Sequence, residues 1–272
     1  MKRFARNEIY AAIVLLSINV AEGNPIPGPM PAHIYIFSER LEVAMSATEA
    51  KVKGTFVFSA PDIKNSDADL LQTFMQLPVW IPQQTSGDAT VAAFWNAFHT
   101  NILNVIRPEN REAFEKAIGL KVFSGKRALP VGAFIMVCRD SDQRPFQYFT
   151  TEQQRLYQVN PEPDLCCLVF RVDGLSESVQ KHIPVEISYR QPLLKAEGTS
   201  HFYYLPIFEN LPKEVSTTDT NRYSIILSAT PGCSLIVTNN QNKFKITAGH
   251  SITIAPQNRQ AIRATAVASV QK

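Results

Sequence analysis

The fold of this chain is decided by two stretches, Ser38-Glu39-Arg40-Leu41-Glu42-Val43-Ala44-Met45 and Lys51-Val52-Lys53-Gly54-Thr55-Phe56-Val57-Phe58. Side chains alternate between the two faces of a β-strand. The second stretch therefore places its mainly apolar set on one face and its mainly polar set on the other, namely Val52, Gly54, Phe56 and Phe58 against Lys51, Lys53, Thr55 and Val57. With turn-prone residues 46–49 between them, the two stretches predict an antiparallel hairpin with one buried face.

Further short apolar or alternating segments follow, broken by glycine-containing turns such as Asp173-Gly174, Pro231-Gly232 and Ala248-Gly249. The strands they predict are Gly132 to Arg139, Leu165 to Val172, Val185 to Gln191, His201 to Phe208, Tyr223 to Ala229, Ser234 to Asn239, Phe244 to Thr247, Ser251 to Ala255 and Ala261 to Ala268. Many short strands without alternating helices predict a mainly β protein, an antiparallel β-sandwich.

A helical insertion interrupts the β pattern at residues 88–118. Its apolar residues recur at helical spacing from Val91 to Ile106, and Pro108 suits the first turn of a second helix that stops at Gly119. Residues 67–81 are ambiguous: Leu70 to Met75 suit a helix, whereas the alternation from Leu77 to Ile81, flanked by prolines, suits an edge strand.

These patterns predict four parts. Residues 1–23 form a signal peptide, 24–32 a proline-rich linker, 33–212 the β-sandwich domain with its helical insertion, and 213–272 a small C-terminal β domain. The polar stretch 213–221 marks the last boundary, because it is poor in apolar residues.

The leader carries a basic start, an apolar run from Ile9 to Ala21, and small residues at Ala21 and Gly23. This pattern is typical of a secretory signal peptide. The alternative is a membrane anchor, but thirteen residues are too few to cross a hydrocarbon core of about 30 Å as a helix. We therefore expect a periplasmic or extracellular protein with no membrane span after cleavage.

Charge argues against two classes of partner. Cleavage after Gly23 would remove three of the 27 basic and two of the 24 acidic residues, which leaves a nearly neutral chain. Without a basic cluster in the sequence, we expect neither nucleic-acid binding nor attachment to an anionic membrane surface.

Export would permit disulfides among Cys138, Cys166, Cys167 and Cys233. Cys166 and Cys167 are adjacent and point to opposite faces of a strand, so at most one of them can meet Cys138 across a sheet. Two bridges, one bridge with two thiols, or four thiols all remain open.

No motif of a known catalytic or metal site is present, since the sequence lacks GxSxG, HExxH, CxxC and GxGxxG. The histidines are scattered singly, and Glu42, Glu186 and Glu209 are explained equally well as outward-facing charges on strands. We therefore predict no catalytic residue, no metal ligand and no cofactor.

Aromatic residues are the remaining candidates for a binding site. Trp80 lies near a predicted sheet edge, and Tyr203 and Tyr204 alternate across a predicted strand, so one of the two tyrosines should face outward. An exposed aromatic surface suits stacking against a sugar ring or an apolar partner. Ordinary packing in the core or on the surface is the alternative.

The stretches Ser38 to Val43, Ala50 to Phe58 and Val185 to Pro192, with Phe202-Tyr203-Tyr204, resemble uncharacterised secreted bacterial proteins that open with a β-rich domain. The resemblance covers about thirty residues and consists of strand patterns. It implies a β fold and export, and it assigns no functional residue.

Together these features predict a non-enzymatic binding or structural module of the cell envelope or extracellular space, with a protein or glycan as partner. The alternative is a secreted hydrolase whose active site is assembled from distant strands. A Ser or Cys within hydrogen-bond reach of a His, or a convergent carboxylate pair, would favour that alternative.

Overall fold

A computed structural model of the chain describes residues 26–28, 35–60, 74–76, 79–82, 111–138, 165–172, 174–196, 199–204, 212–216, 218–239, 242–256 and 262–268. The predicted signal peptide, the first predicted helix and most of the proline-rich linker lie outside these residues. Residues 26–28 of that linker form a short strand.

Strands dominate the described residues, which confirms the mainly β class. They are β1 (Ile26–Gly28), β2 (Tyr35–Met45), β3 (Glu49–Ser59), β4 (Phe74–Gln76), β5 (Val79–Pro82), β6 (Lys121–Ser124), β7 (Arg127–Ala128), β8 (Val131–Cys138), β9 (Leu165–Val172), β10 (Val185–Pro192), β11 (Leu194–Ala196), β12 (Thr199–Tyr204), β13 (Tyr223–Ala229), β14 (Cys233–Asn239), β15 (Asn242–Ile246), β16 (Ser251–Ile254) and β17 (Ile262–Ala268). The helices are α1 (Arg111–Ile118) and α2 (Ser176–Gln180).

Two large sheets enclose one hydrophobic core. The first has seven strands in the order β16-β13-β2-β3-β10-β6-β7, and the second has five in the order β11-β12-β17-β14-β15. Smaller sheets of order β5-β9-β8 and β1-β4 complete the described strands. A single cluster of buried apolar residues draws on both large sheets, from Leu41 and Val43 in the first to Leu235 and Val237 in the second.

The predicted hairpin is confirmed in β2 and β3. Their antiparallel register pairs Val43 with Val52, and the turn is closed by the Ser46 hydroxyl, which accepts a hydrogen bond from the Glu49 amide at 3.0 Å. The buried positions of β3 alternate as predicted. Gly54 is needed in the buried row because a Cβ there would lie 2.3 Å from the Phe56 ring.

A β-bulge at Phe37 sets which side chains of β2 face the core. The register with β3 shifts between Ile36 and Ser38, so one extra residue is inserted in β2. Ile36 is buried before the bulge, and Glu39 rather than Ser38 is the next buried residue after it. The inserted residue therefore brings a carboxylate into the apolar interior.

The prediction that residues 213–272 form a separate β domain is wrong. β13 pairs with β2 and β17 pairs with β12, so the C-terminal strands belong to both large sheets. The β13–β2 pair is parallel, an exception to the predicted antiparallel arrangement. Period-two patterning shows which face of a strand is buried but carries no information on its neighbour, which is why the sequence missed this interleaving.

The ambiguous stretch 67–81 yields strands where it is described. β4 and β5 occupy residues 74–76 and 79–82, and β5 is an edge strand of its sheet, as the flanking prolines indicate. Of the predicted two-helix insertion, the second helix is present as α1, and the first falls outside the described residues. No described helix has the length and apolar character required to cross a bilayer.

Candidate functional site

The outer face of the seven-stranded sheet carries a concave surface, which we call the basic groove. Its volume is about 640 Å³. It is lined by Arg40, Glu42, Val43, Ala44, Lys51, Val52, Lys53, Gly119, Lys121, Ser188, Tyr189, Arg190, Ile226, Ser228 and Ser251. Five of these residues are cationic and one is acidic, so the groove is positively charged.

Strand register brings the cations together. Lys51 on β3 lies opposite Arg190 on β10, and Lys53 lies opposite Ser188, which in turn faces Lys121 on β6. Because these residues occupy the outward positions of three neighbouring strands, their charges share one face of the sheet. Ala44 of β2 lies opposite Ser228 of β13. Because both side chains are small, they leave the surface recessed beside the cations.

Three of the five cations have carboxylate partners. Arg40 Nε lies 2.9 Å from Glu42, Lys53 Nζ lies 3.0 Å from Glu186, and Lys51 Nζ lies 3.8 Å from Glu49. Glu42 and Glu186 are thus outward-facing charges, as the sequence suggested. In the part of the chain that the structure describes, Lys121 and Arg190 have no carboxylate within 4.0 Å.

A second polar group lies in the core between the two large sheets. We call it the polar core cluster, and it consists of Glu39, Tyr189, Tyr204 and Tyr223. The Tyr204 hydroxyl of β12 donates a hydrogen bond to the Glu39 carboxyl group of β2, which joins the two sheets. The Tyr223 hydroxyl donates to the Ile36 carbonyl at 2.8 Å. Glu39 is 1% exposed.

Burial changes the ionisation of this cluster. Desolvation raises the pKa of Glu39 to about 7, although the Tyr204 hydrogen bond opposes part of the rise. Burial, and then the Glu39 charge, raise the pKa values of Tyr204 and Tyr189 above their usual range. Below neutral pH the cluster is therefore uncharged, which suits an apolar core.

Tyr203 and Tyr204 are 5% and 4% exposed, so the prediction that one of them faces outward is wrong. Every residue of β12 after Thr199 is buried, because both faces of this strand are covered: Tyr204 meets the first sheet, and β12 also contacts β5. Trp80 lies in β5, opposite Cys167 of β9. The structure describes its backbone and not its side chain.

The cysteines divide between the sheets. Cys166 lies directly opposite Cys138 in the β8–β9 pair, as expected for the one cysteine of the adjacent pair that can meet Cys138. Cys233 is a free, buried thiol. Burial raises the pKa of the Cys233 thiol, and a hydrogen bond from the Val267 backbone opposes the rise.

One serine and one histidine meet in the described residues. The Ser59 hydroxyl and His182 Nε2 lie 3.2 Å apart, and the His182 ring stacks on Phe37 with a centroid distance of 6.3 Å. The Arg222 guanidinium lies 4.7 Å from the centroid of the same Phe37 ring. Ser59 is only 4% exposed, so its hydroxyl does not face an open cleft.

Metal ligands do not cluster among the described residues: no group of three His, Cys, Asp or Glu side chains has the arrangement to hold an ion. Glu209 and His99 lie outside those residues. Of the remaining histidines, His201 is buried between the hydroxyl groups of Thr199 and Thr265, at 2.8 and 2.9 Å. Its contacts indicate a structural role.

Sequence reasoning missed both Glu39 and Arg190. Glu39 shares its strand parity with Leu41 and Val43, and this shared parity was the available signal for its burial. The basic groove had no signal in the linear sequence, because its cations come from β2, β3, β6 and β10 and meet only through the register of the sheet.

No protein-family model and no curated protein matches the chain. Among solved structures, native leukotriene A4 hydrolase from Saccharomyces cerevisiae is similar, with 10% sequence identity and a TM-score of 0.32. The match covers 90% of this chain and 31% of the hydrolase, so the chain spans about a third of that protein. A likeness this low carries no functional argument.

Proposed function

We propose that the mature chain is an exported, non-enzymatic binding module, and that the basic groove binds an acidic segment of a partner protein. The observation that carries the proposal is the concentration of charge: five cations and one carboxylate line the groove, whereas the whole chain has a formal net charge of only +3. Positive charge collected on one concave surface attracts anionic ligands and accelerates their association.

The spacing of the cations suits an extended acidic segment. Lys51 and Lys53 are two residues apart on β3, and each begins a row of side chains that crosses neighbouring strands. Such rows are about 6.6 Å apart along a strand, and the side chains on one face of an extended peptide have the same separation of about 6.6 Å. Two acidic side chains of one bound segment can therefore each meet a cationic row.

The groove can receive carboxylates at low energetic cost. The ion pairs at Arg40, Lys51 and Lys53 are exposed, and such pairs contribute about 0 to 1 kcal/mol, so an incoming carboxylate can replace their partners. The Arg190 side chain packs against Gly119: a Cβ atom placed on Gly119 would lie 3.8 Å from the Nε atom of Arg190. A guanidinium positioned in this way can bind a carboxylate through two parallel hydrogen bonds.

An acidic protein segment fits this surface better than a glycan. Recognition of sugar rings uses an exposed aromatic face. Tyr189, the one aromatic residue in the lining, is 6% exposed and points into the core. Small residues between the cations, such as Ala44 and Ser188, instead leave room for a peptide backbone.

The test is a binding titration with a fluorescein-labelled peptide of ten glutamates at low ionic strength. We expect the double variant Lys121→Glu/Arg190→Glu to bind at least about tenfold more weakly, because two attractions become repulsions. The control is Lys126→Glu/Lys213→Glu, which changes net charge equally at two exposed positions outside the groove lining. Equal weakening by both double variants, or no binding by the wild type, would overturn the proposal.

The Ser59–His182 contact keeps a secreted hydrolase as the second candidate, because a serine nucleophile needs a histidine within this distance. A fluorophosphonate probe separates the two functions. Labelling of the wild-type protein that Ser59→Ala abolishes would establish the hydrolase, and a protein that stays unlabelled while it binds the acidic peptide would support the binding module.

A further inference from the structure

Among the strands that the structure describes, β15 is an edge of the five-stranded sheet. It ends the strand order, and its first four residues, Asn242 to Lys245, are all exposed. An edge strand presents unpaired backbone N–H and C=O groups at every second residue, and these groups can pair with another strand. With five residues, β15 is the longest edge strand of the two large sheets, since β7, β11 and β16 have two, three and four.

The side chains of β15 alternate in character. Lys243 and Lys245 lie on the outer face, and Phe244 and Ile246 share the inner face with Val237, which lies opposite Phe244. Ile246 is 2% exposed, but Phe244 remains 41% exposed because none of the described strands lies beyond β15. A sixth strand would cover the Phe244 ring.

Exposed apolar side chains occur on both faces of the five-stranded sheet. The large hydrophobic side chains that are exposed in the described part of the chain are Phe244, Ile236 and Val267, at 41%, 41% and 38%. They lie on different faces: Phe244 is on the inner face of β15, whereas Ile236 and Val267 are on the outer face of β14 and β17, since Ile236 is opposite Lys245 and Val267 is opposite Ser234. Phe244 is therefore the exposed apolar side chain that an added strand would cover on the inner face.

We propose that β15 accepts an extended segment of a partner protein as a sixth strand, with acidic residues opposite Lys243 and Lys245 and an apolar residue opposite Phe244. This surface is independent of the basic groove, which lies on the other large sheet. Strand addition of this kind derives affinity from backbone hydrogen bonds and specificity from the alternate side chains.

The same two lysines exclude a second copy of this chain as the occupant. In antiparallel self-pairing centred on Phe244, Lys243 of each copy would lie opposite Lys245 of the other, on one face of the sheet. Like charges directly opposite each other destabilise a strand pair. Pairing of β15 with β15 of a second copy is therefore disfavoured, whereas pairing with a strand that has acidic residues at alternate positions is favoured.

The experiment uses the full chain carrying Lys121→Glu/Arg190→Glu, so that the basic groove does not contribute. The probe is a labelled peptide with alternating glutamate and valine, and the control peptide has the same length and charge with a proline in place of its central valine. We expect the alternating peptide to bind at least about tenfold more tightly, since proline removes a backbone donor and breaks the strand. Equal binding of the two peptides would overturn the proposal.

Charge reversal gives a second measurement. Lys243→Glu/Lys245→Glu should lose affinity for the glutamate–valine peptide and gain it for a lysine–valine peptide, whereas Lys126→Glu/Lys213→Glu should retain the wild-type preference. Because a preference is inverted, a folding defect cannot produce the expected result. An unchanged preference, or a wild-type dimer in sedimentation equilibrium that the Lys243→Glu/Lys245→Glu variant alters, would overturn the proposal.

Discussion

The Tyr204 hydroxyl donates a hydrogen bond to the Glu39 carboxyl group across the space between the two large sheets. Both residues are almost fully buried, at 4% and 1% exposure. A carboxyl group in this position resists ionisation, because the charged form loses its hydration without gaining an equivalent environment. Burial of Glu39 therefore couples its proton occupancy to the stability of the sandwich.

Stability should fall as pH rises from about 4.5 to about 7. In this window the unfolded chain ionises Glu39 at its ordinary pKa, whereas the folded chain holds the proton until its pKa of about 7. The free energy of unfolding should decrease by about 3 kcal/mol across the window. Urea denaturation followed by circular dichroism at pH 4.5 to 8.5 measures the decrease.

Glu39→Gln is the control for that experiment, and its free energy of unfolding should be nearly independent of pH over the same window. Glu177 does not interfere. Its hydrogen bond to Lys181, and then the charges of Lys181 and Arg127, lower its pKa, so its contribution is lost only as pH falls below about 4.5. A wild-type stability that rises from pH 4.5 to 7 would contradict the account.

Tyr204→Phe should destabilise the protein by about 1 to 3 kcal/mol at pH 8, because it leaves a buried carboxylate without this donor. Glu39→Gln should be neutral or stabilising at the same pH, since the amide has no charge to desolvate. A double-mutant cycle in urea should show a coupling energy above about 0.5 kcal/mol between the two positions. Additive effects would mean that the hydrogen bond contributes nothing to folding.

Gly54→Ala should destabilise the protein by about 1 to 3 kcal/mol, although alanine usually suits a strand better than glycine. The added Cβ would lie 2.3 and 2.6 Å from two atoms of the Phe56 ring and 3.3 Å from Leu41. Thermal unfolding measures the effect, and Thr55→Ala, on the opposite face of the strand, should change stability by less than about 0.5 kcal/mol. A Gly54→Ala protein as stable as the wild type would show that the ring moves freely.

Oxidised protein should contain a Cys138–Cys166 bridge and a free Cys233. Residues directly opposite in an antiparallel pair have Cα atoms about 4.5 to 5.5 Å apart, which fits disulfide geometry, and this register holds for Cys138 and Cys166. Mass spectrometry of a non-reduced, alkylated digest identifies the pairing, and Cys167→Ser should leave it unchanged. A bridge to Cys167 or Cys233 would refute the assignment.

The sequence predicts individual strands and hairpins better than it predicts which distant strands pair. The hairpin of β2 and β3 could be predicted because alternation, turn residues and neighbouring positions agree over twenty residues. The parallel pairing of β2 with β13 could not be predicted, since nothing in either strand indicates a partner 184 residues away. For the same reason 213–272 resembled a separate unit.

The candidate site divides in a similar way. Outward-facing Lys51 and Lys53 were identified from alternation, but their meeting with Arg190 and Lys121 depends on register across three strands. Alternation implies one solvent-exposed face, so one of Tyr203 and Tyr204 was expected to face outward. The second layer that covers β12 is a tertiary feature. The alternation of residue types shows which side chains share a face of the strand. Whether both faces are buried depends on the complete fold.

The interleaving of β13 to β17 with the earlier strands has a consequence for biogenesis. Until residues 223–268 have been synthesised, β2 lacks one neighbour and the inner face of the first sheet lacks the cover of β14, β15 and β17. Pairing over such a distance in the chain closes a long loop and folds slowly. A chain whose last strands have not yet been synthesised therefore exposes part of the apolar inner face of its first sheet.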